Sequence, residues 1–411
     1  MTDTTGAAIG HAPRELSDEA QRGNIARLSI AQALAGANSV VAYATGAIVG
    51  NSLAPDSRLA TLPLSIFVVG MAASILPVGA IARHHGRRTA FLVGTGAGIL
   101  AGLLATLAVL ESSFWLFCVA TFLGGAYAAV VLSFRFAAAD GVDATRRARA
   151  VSLVMAGGVA AGVLGPQLVT LTMDAWPPYT FAATYIAQAA VALLSMGVLA
   201  GVRLPKPTAA EIAGGRPLAV VARQPRFITA VICGAVSYML MNFLMTAAPL
   251  AMKLCGLSQQ SANLGIQWHV IAMYGPSFFT GRLITRFGAS RVVAGGLVLM
   301  GVSALVGLAG IDVAHFWLTL VLLGVGWNFS FIGASTLVLE SHRPDEKTRV
   351  QALNDFIVFG LMTIGSFVSG SLLSAYGWNV VLAASFLPLA IAVVALMVTT
   401  RVHRATEGAR A

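Results

Sequence analysis

Gly79-Ala80-Ile81-Ala82-Arg83-His84-His85-Gly86-Arg87-Arg88 closes one apolar run, 59–82, and leads into another, 89–110. A run of about 20 apolar residues is long enough to cross a bilayer as a helix. The decapeptide is therefore read as the turn between two spans, and its cations mark the face on which that turn lies. About 200 residues later Gly281-Arg282-Leu283-Ile284-Thr285-Arg286-Phe287-Gly288 stands in the same relation to two further runs. Reading outward from both turns gives spans near 26–48, 59–82, 89–110, 114–137, 150–173 and 179–202. A second set follows near 228–252, 261–284, 292–311, 316–339, 350–374 and 378–400. The sequence predicts an all-α membrane protein of twelve transmembrane helices, arranged as two six-helix bundles.

Charge placement fixes the expected orientation. With residue 1 on the cytoplasmic side, all of the 26 Lys and Arg except Arg58 and Lys253 fall in cytoplasmic segments or at cytoplasmic helix ends, as the positive-inside rule requires. Both termini are then cytoplasmic, and the expected location is the bacterial cytoplasmic (inner) membrane. Composition agrees, with 57% hydrophobic and 10% charged residues against about 25% charged in soluble domains. The net charge of +10 is not a nucleic-acid footprint, because the cations sit in short groups between spans. Residues 1–25 form a polar tail without the features of a cleaved signal peptide. Cys118, Cys233 and Cys255 have neither the number nor the spacing of a disulfide framework or a zinc site.

The expected domains are 1–25 as a cytoplasmic tail, 26–202 as the first bundle, 203–227 as a cytoplasmic linker, 228–400 as the second bundle, and 401–411 as a cytoplasmic tail. The linker carries Pro205, Pro207, Gly214, Gly215, Pro217 and Pro225, which argue against one continuous helix. The two halves match at several points in register. Phe114-Trp115-Leu116 answers Phe316-Trp317-Leu318, and Leu123-Gly124-x-x-Tyr127 answers Leu323-Gly324-x-x-Trp327. Basic loops then end at Arg149 and Arg349. A duplicated set of six spans is a transporter architecture.

On these residues the chain resembles the major facilitator superfamily over roughly residues 25–400. The family's loop between spans two and three has a glycine, then an acidic and a basic residue, then glycine and two basic residues. Here Gly79, Gly86, Arg87 and Arg88 keep that frame, but Arg83 stands in the acidic place and His84 in the basic one. Span five carries Gly165-Pro166 behind Gly157, Gly158, Ala161 and Gly162, which resembles a degraded antiporter motif. The arginine expected in the outer part of span four is absent.

The resemblance implies a central cavity lined by spans one, four, seven and ten. At about 1.5 Å per residue, Asn38, Tyr127, Asn242, Trp327 and Asn328 fall near the midplane, with Gln267 and His269 of span eight slightly outside it. These seven are the expected substrate-binding residues, although amides also tie membrane helices together and aromatic rings also simply pack. No Lys or Arg lies at that depth, so the expected solute is small, neutral or weakly charged, and aromatic or heterocyclic. Asp355 is the one carboxylate well inside a span, a turn from the cytoplasmic end of span eleven. Two pairings are open for it: Arg83, which would exchange the family's charges across the inner gate, or Arg135 in span four. Gate and coupling residues are therefore expected among Gly79, Arg83, Gly86, Arg87, Arg88, Arg135, Gly281, Arg286, Gly288 and Asp355. Gly165, Pro166, Gly275 and Pro276 are expected kinks.

There is no P-loop and no catalytic constellation, so neither ATP-driven transport nor enzymatic activity is expected. The reading is a secondary active transporter working by alternating access. Uptake of a heterocyclic nutrient, with riboflavin as one candidate, stands beside efflux of drugs or metabolites. A transporter-shaped receptor or assembly factor is the remote alternative. Expected partners are the solute and membrane lipids, with protons as candidate coupling ion through Asp355 or His269. No cofactor, metal or nucleic acid is expected, and the chain is expected to function as a monomer.

Overall fold

A computed structural model of the chain describes residues 17–408 apart from 57, 58, 60, 61, 141, 206, 208, 210, 211, 213 and 214. Arg58 and most of the N-terminal tail thus lie outside the described residues. Spans one to six are the helices Asp18–Leu53, Leu62–His85, Arg87–Leu110, Phe114–Ala137, Ala144–Thr172 and Ala182–Ala200. Spans seven, nine, ten and eleven are Pro225–Leu254, Ala289–Ala309, Val313–Glu340 and Lys347–Tyr376. Span eight is divided into Gln259–Tyr274 and Ser277–Phe287, and span twelve into Trp378–Ala384 and Phe386–Gly408. Among the described residues ten helices are long and apolar enough to cross a membrane. The protein is a multi-pass helical membrane protein. Between spans six and seven the described residues include a short helix at Leu218–Ala222.

Local chemistry sets the ends. Ser17 caps span one by accepting from the Ala20 N–H, and Ser113 caps span four by accepting from the Leu116 N–H. Gly86 and Gly288 each turn the chain between consecutive spans at positive φ, 90° and 85°, where an L side chain is strained. Of the two expected kinks, Gly275-Pro276 does break span eight, since proline has no N–H for the helical ladder. Span five continues through Pro166 without a break.

Spans one to six pack with one another, as do spans seven to twelve. The two sets meet mainly where span two crosses span eleven and span five crosses span eight. Small residues make both crossings possible. A Cβ added to Gly79 would lie 2.6 Å from the Ala352 Cβ, and one added to Gly281 would lie 2.6 Å from the Arg149 Cα and 3.0 Å from the Ser152 Cβ. Gly79 and Gly281 are matching positions of the two halves, and so are Ala352 and Ser152. One contact is therefore made twice, once at each crossing. Each half has its own apolar core, and a third cluster, including Phe67, Met71, Met241, Met273, Trp327 and Phe359, straddles the junction.

Candidate substrate site and charged latch

Aromatic side chains dominate the junction between the halves. The fully buried Trp327 of span ten is stacked on Phe331, with ring centroids 5.1 Å apart and planes at 16°. Tyr238 of span seven meets the edges of Trp327, Phe331 and Phe359. Tyr274 of span eight meets Trp327 from another side. Tyr43 of span one packs on Phe67 and lies against the same apolar cluster as Tyr238 and Tyr274. Two phenols of the second half thus flank the indole, a third, from the first half, packs on the same apolar cluster, and the indole Nε1 has no hydrogen-bond partner among the described residues. Such a donor is costly to bury alone. Asn242 lies one turn along the same face of span seven as Tyr238, and its buried Nδ2 is also unpartnered.

Other expected substrate contacts are placed elsewhere. Asn38 Nδ2 donates to the Gln188 carbonyl at 3.2 Å, tying span one to span six. Tyr127 lies against Gly98 of span three, where an added Cβ would sit 2.3 Å from its ring, in the core of the first half. On the matching part of span nine, Met300 fills the space and packs on Gly326 instead, so Tyr127 and Trp327 take different directions. Asn328 splints the break in span eight. Its Nδ2 donates to the Met273 carbonyl and to Ser277 Oγ, both at 2.6 Å, and its Oδ1 accepts from Thr280 Oγ1. His269 is buried with Nδ1 donating to the Leu320 carbonyl at 2.7 Å, and Gln267 is exposed. Of the seven, Trp327 and Asn242 face the junction. Asn38, Tyr127, Asn328 and His269 join helices within one half, because depth in the membrane does not determine direction around a helix axis.

At the basic ends of the spans, charged and polar side chains join the two halves in a candidate latch. Arg135 is buried and donates to Asp355 Oδ1, to the Leu132 carbonyl and, at 3.2 Å, to Ser335 Oγ. Its guanidinium also lies 4.3 Å from the Phe136 ring and 4.7 Å from the Phe331 ring. Asp355 accepts a second bond from Asn354 Nδ2 at 2.9 Å. The charge-exchanged pair with Arg83 is not formed. Arg83 bonds His84 at 2.8 Å near the surface. From the level of the Gly79–Ala352 contact, Arg83 lies four residues toward the basic face and Asp355 three residues away from it, an axial gap of roughly 10 Å at 1.5 Å per residue. Arg87 of span three donates to Asp140 at 2.6 Å and to Gln351 of span eleven. Lys347 adds a contact to Asp140 at 3.7 Å. Arg88 is exposed, and Arg286 lies exposed over its neighbour Phe287.

Two partners were not anticipated from sequence. Asp140 and Gln351 lie at span ends, where apolar periodicity carries no signal. Outside the spans, Arg216 of the linker donates to both oxygens of Glu346, at 2.5 and 2.8 Å. That guanidinium lowers the Glu346 carboxyl from the usual 4.5 to about 2. A cavity of about 30 Å³ lies behind the latch, lined by Gly79, Arg87, Ser133, Gln351 and Asp355 among others, roomy enough for water.

Sequence comparison settles the family. The model for the Major Facilitator Superfamily matches residues 28–276 and 230–411. The chain belongs to this superfamily. It is 47% identical over 366 residues to the riboflavin transporter RfnT of Brucella anthropi, covering 88% of this chain and 92% of that one. Among solved structures, the human organic anion transporter MFSD10 superposes with a TM-score of 0.72 at 17% identity, covering 92% and 99% of the two chains. FucP in its outward conformation superposes with a TM-score of 0.71 at 14% identity, covering 91% and 97%. These two likenesses show a shared fold. The chain is a transporter of this superfamily, not an enzyme.

Proposed function

We propose that this superfamily member takes up riboflavin, or a flavin closely like it, by alternating access in the bacterial cytoplasmic membrane, with its basic face toward the cytoplasm. The observation that carries the reading is the Trp327–Phe331 stack flanked by Tyr238 and Tyr274 at the junction of the halves, with Tyr43 of the other half packed on the same cluster. Identity with a riboflavin transporter supports it. A flavin is a flat, uncharged heterocycle edged with carbonyl and ring-nitrogen acceptors, and it carries a chain of hydroxyls. Aromatic faces suit the ring, the unpartnered donors Trp327 Nε1 and Asn242 Nδ2 suit its acceptors, and phenols suit the hydroxyls. The Arg135–Asp355 pair and the Arg87–Asp140–Gln351 group hold the cytoplasmic side shut in this arrangement, so substrate is received from outside and released when both give way. Residues 26–202 and 228–400 are the two rocking bundles, 203–227 is their cytoplasmic linker, and 1–25 and 401–411 are cytoplasmic tails. The chain acts as a monomer, with protons as the coupling ion to test first.

The experiment is uptake of labelled riboflavin into proteoliposomes, with and without a proton gradient and against a panel of unlabelled heterocycles. Trp327→Phe keeps the stack and removes the N–H. The loss of one hydrogen bond should weaken riboflavin binding by roughly two- to tenfold, and Trp327→Ala should weaken it further. Uptake indifferent to riboflavin competition, or unchanged in Trp327→Ala, would overturn the assignment.

A further inference from the structure

The loop between spans ten and eleven contains a histidine whose protonation state is dictated by its neighbours. Arg87 offers only donors, so the Gln351 atom it meets is the amide oxygen, Oε1. Gln351 Nε2 is thereby turned to His342 Nε2, 3.1 Å away, and an amide N–H can only donate. His342 Nε2 therefore accepts and carries no proton. The ring proton is on Nδ1, which donates to the Arg343 carbonyl at 3.0 Å. Four hydrogen bonds run from Asp140 through Arg87 and Gln351 to His342 and the Arg343 carbonyl. Only a neutral His342 completes them.

The surroundings resist a charge on this ring. Burial acts most strongly and lowers the His342 pKa from its usual 6.5. Arg87 of span three and Arg147 of span five act in the same direction, while Asp140 and the Arg343 carbonyl act against it. Asp140 is already engaged by Arg87 and Lys347, and Glu346, in the same loop as His342, by Arg216. A proton on His342 and the closed latch are therefore mutually opposed, and by linkage the proton favours whichever arrangement releases Nε2 from Gln351.

We propose that His342 is a proton-operated release on the inner latch. Protonation from the cytoplasm removes the acceptor that holds Gln351, places a third cation beside Arg87 and Arg147, and loosens span eleven from span three. The cytoplasmic side then opens more readily as the cytoplasm acidifies. This rests on the orientation proposed above and is independent of the identity of the solute.

The test uses the full chain in inside-out membrane vesicles with Ser133→Cys as reporter, since Ser133 lines the cavity behind the latch. Reaction with an impermeant thiol reagent is followed between pH 8 and 5.5 and normalised at each pH to the same protein denatured in detergent. The normalised reactivity should rise on acidification, by no more than about tenfold per pH unit, the limit for one proton. His342→Gln retains an acceptor for Gln351 and cannot titrate, so its reactivity should stay low and flat. His342→Lys carries the charge permanently and should react fast throughout. His84 and His85, exposed in the last turn of span two, remain in every variant. A flat profile in the parent, or a slope that survives in His342→Gln, would overturn the proposal. A riboflavin assay run alongside separates this outcome from an error in the substrate.

Discussion

Asp355→Asn is the sharpest probe of the latch proposed on the basic face. The substitution preserves shape and removes the countercharge from Arg135, whose side chain is 1% exposed. Breaking a buried pair by neutralising one partner costs about 3–5 kcal/mol. Here the stranded guanidinium keeps Ser335 Oγ, the Leu132 carbonyl and the faces of Phe136 and Phe331. These contacts exist in the parent as well and are not gained on substitution, but they keep the stranded charge partly compensated and place the penalty at the low end of that range, about 3 kcal/mol. That corresponds to roughly 150-fold in the closed-to-open ratio. Water admitted on opening removes the penalty, so the open population should grow. Spin labels at Arg88→Cys and Arg286→Cys, both exposed on the basic face, report the separation of the halves by pulsed electron resonance. The label distance should lengthen in Asp355→Asn and again in Arg135→Met. The double variant Arg135→Met with Asp355→Leu replaces the pair by apolar packing and should return toward the parent. Unchanged distances in both single variants, or a double variant no closer to the parent than either single, would refute the reasoning.

Three further outcomes are expected. Gly79→Ala would meet one close atom, the Ala352 Cβ at 2.6 Å, whereas Gly281→Ala would meet three, the Arg149 Cα at 2.6 Å, the Ala148 carbonyl at 2.9 Å and the Ser152 Cβ at 3.0 Å; transport should fall in both and more in the second, measured at equal membrane abundance. Glu346 has a folded pKa of about 2, below its usual 4.5, so its stabilisation is complete above pH 4.5 and lost as pH falls toward 2. Thermal unfolding in detergent should therefore show Glu346→Gln less stable than the parent at pH 7, with the gap narrowing below pH 4.5; a gap independent of pH would contradict this. Asn328→Ala removes three hydrogen bonds at the break in span eight and should lower the unfolding temperature, with the loss read by the same melt.

The twelve spans were legible because apolar length is a one-dimensional property, and the paired turns were legible because a duplication repeats its glycines. Arg135 and Asp355 stood out for a similar reason, since charges are rare within spans. Direction around a helix is harder to read. Tyr127 and Trp327 occupy matching positions, yet Gly98 makes room for one inside its own half and leaves the other to the junction. Tyr43, Tyr238 and Tyr274 reach one apolar cluster from three helices, and no linear spacing links them. Asp140, Gln351 and His342 lie at span ends and in a loop, where the selection that makes an intramembrane charge conspicuous is absent.

Arg135 and Ser335 occupy matching places in the two copies of the repeat and bond to one another. A residue that touches its own counterpart sits on the two-fold axis relating the halves, as at any self-complementary interface. Such a position cannot be charged alike in both copies, because two guanidiniums would then be forced together in a dry site. Once an arginine occupied one copy, the other could hold only a small partner able to accept from it. The unlikeness of the two halves in charge is therefore a requirement of their likeness in shape.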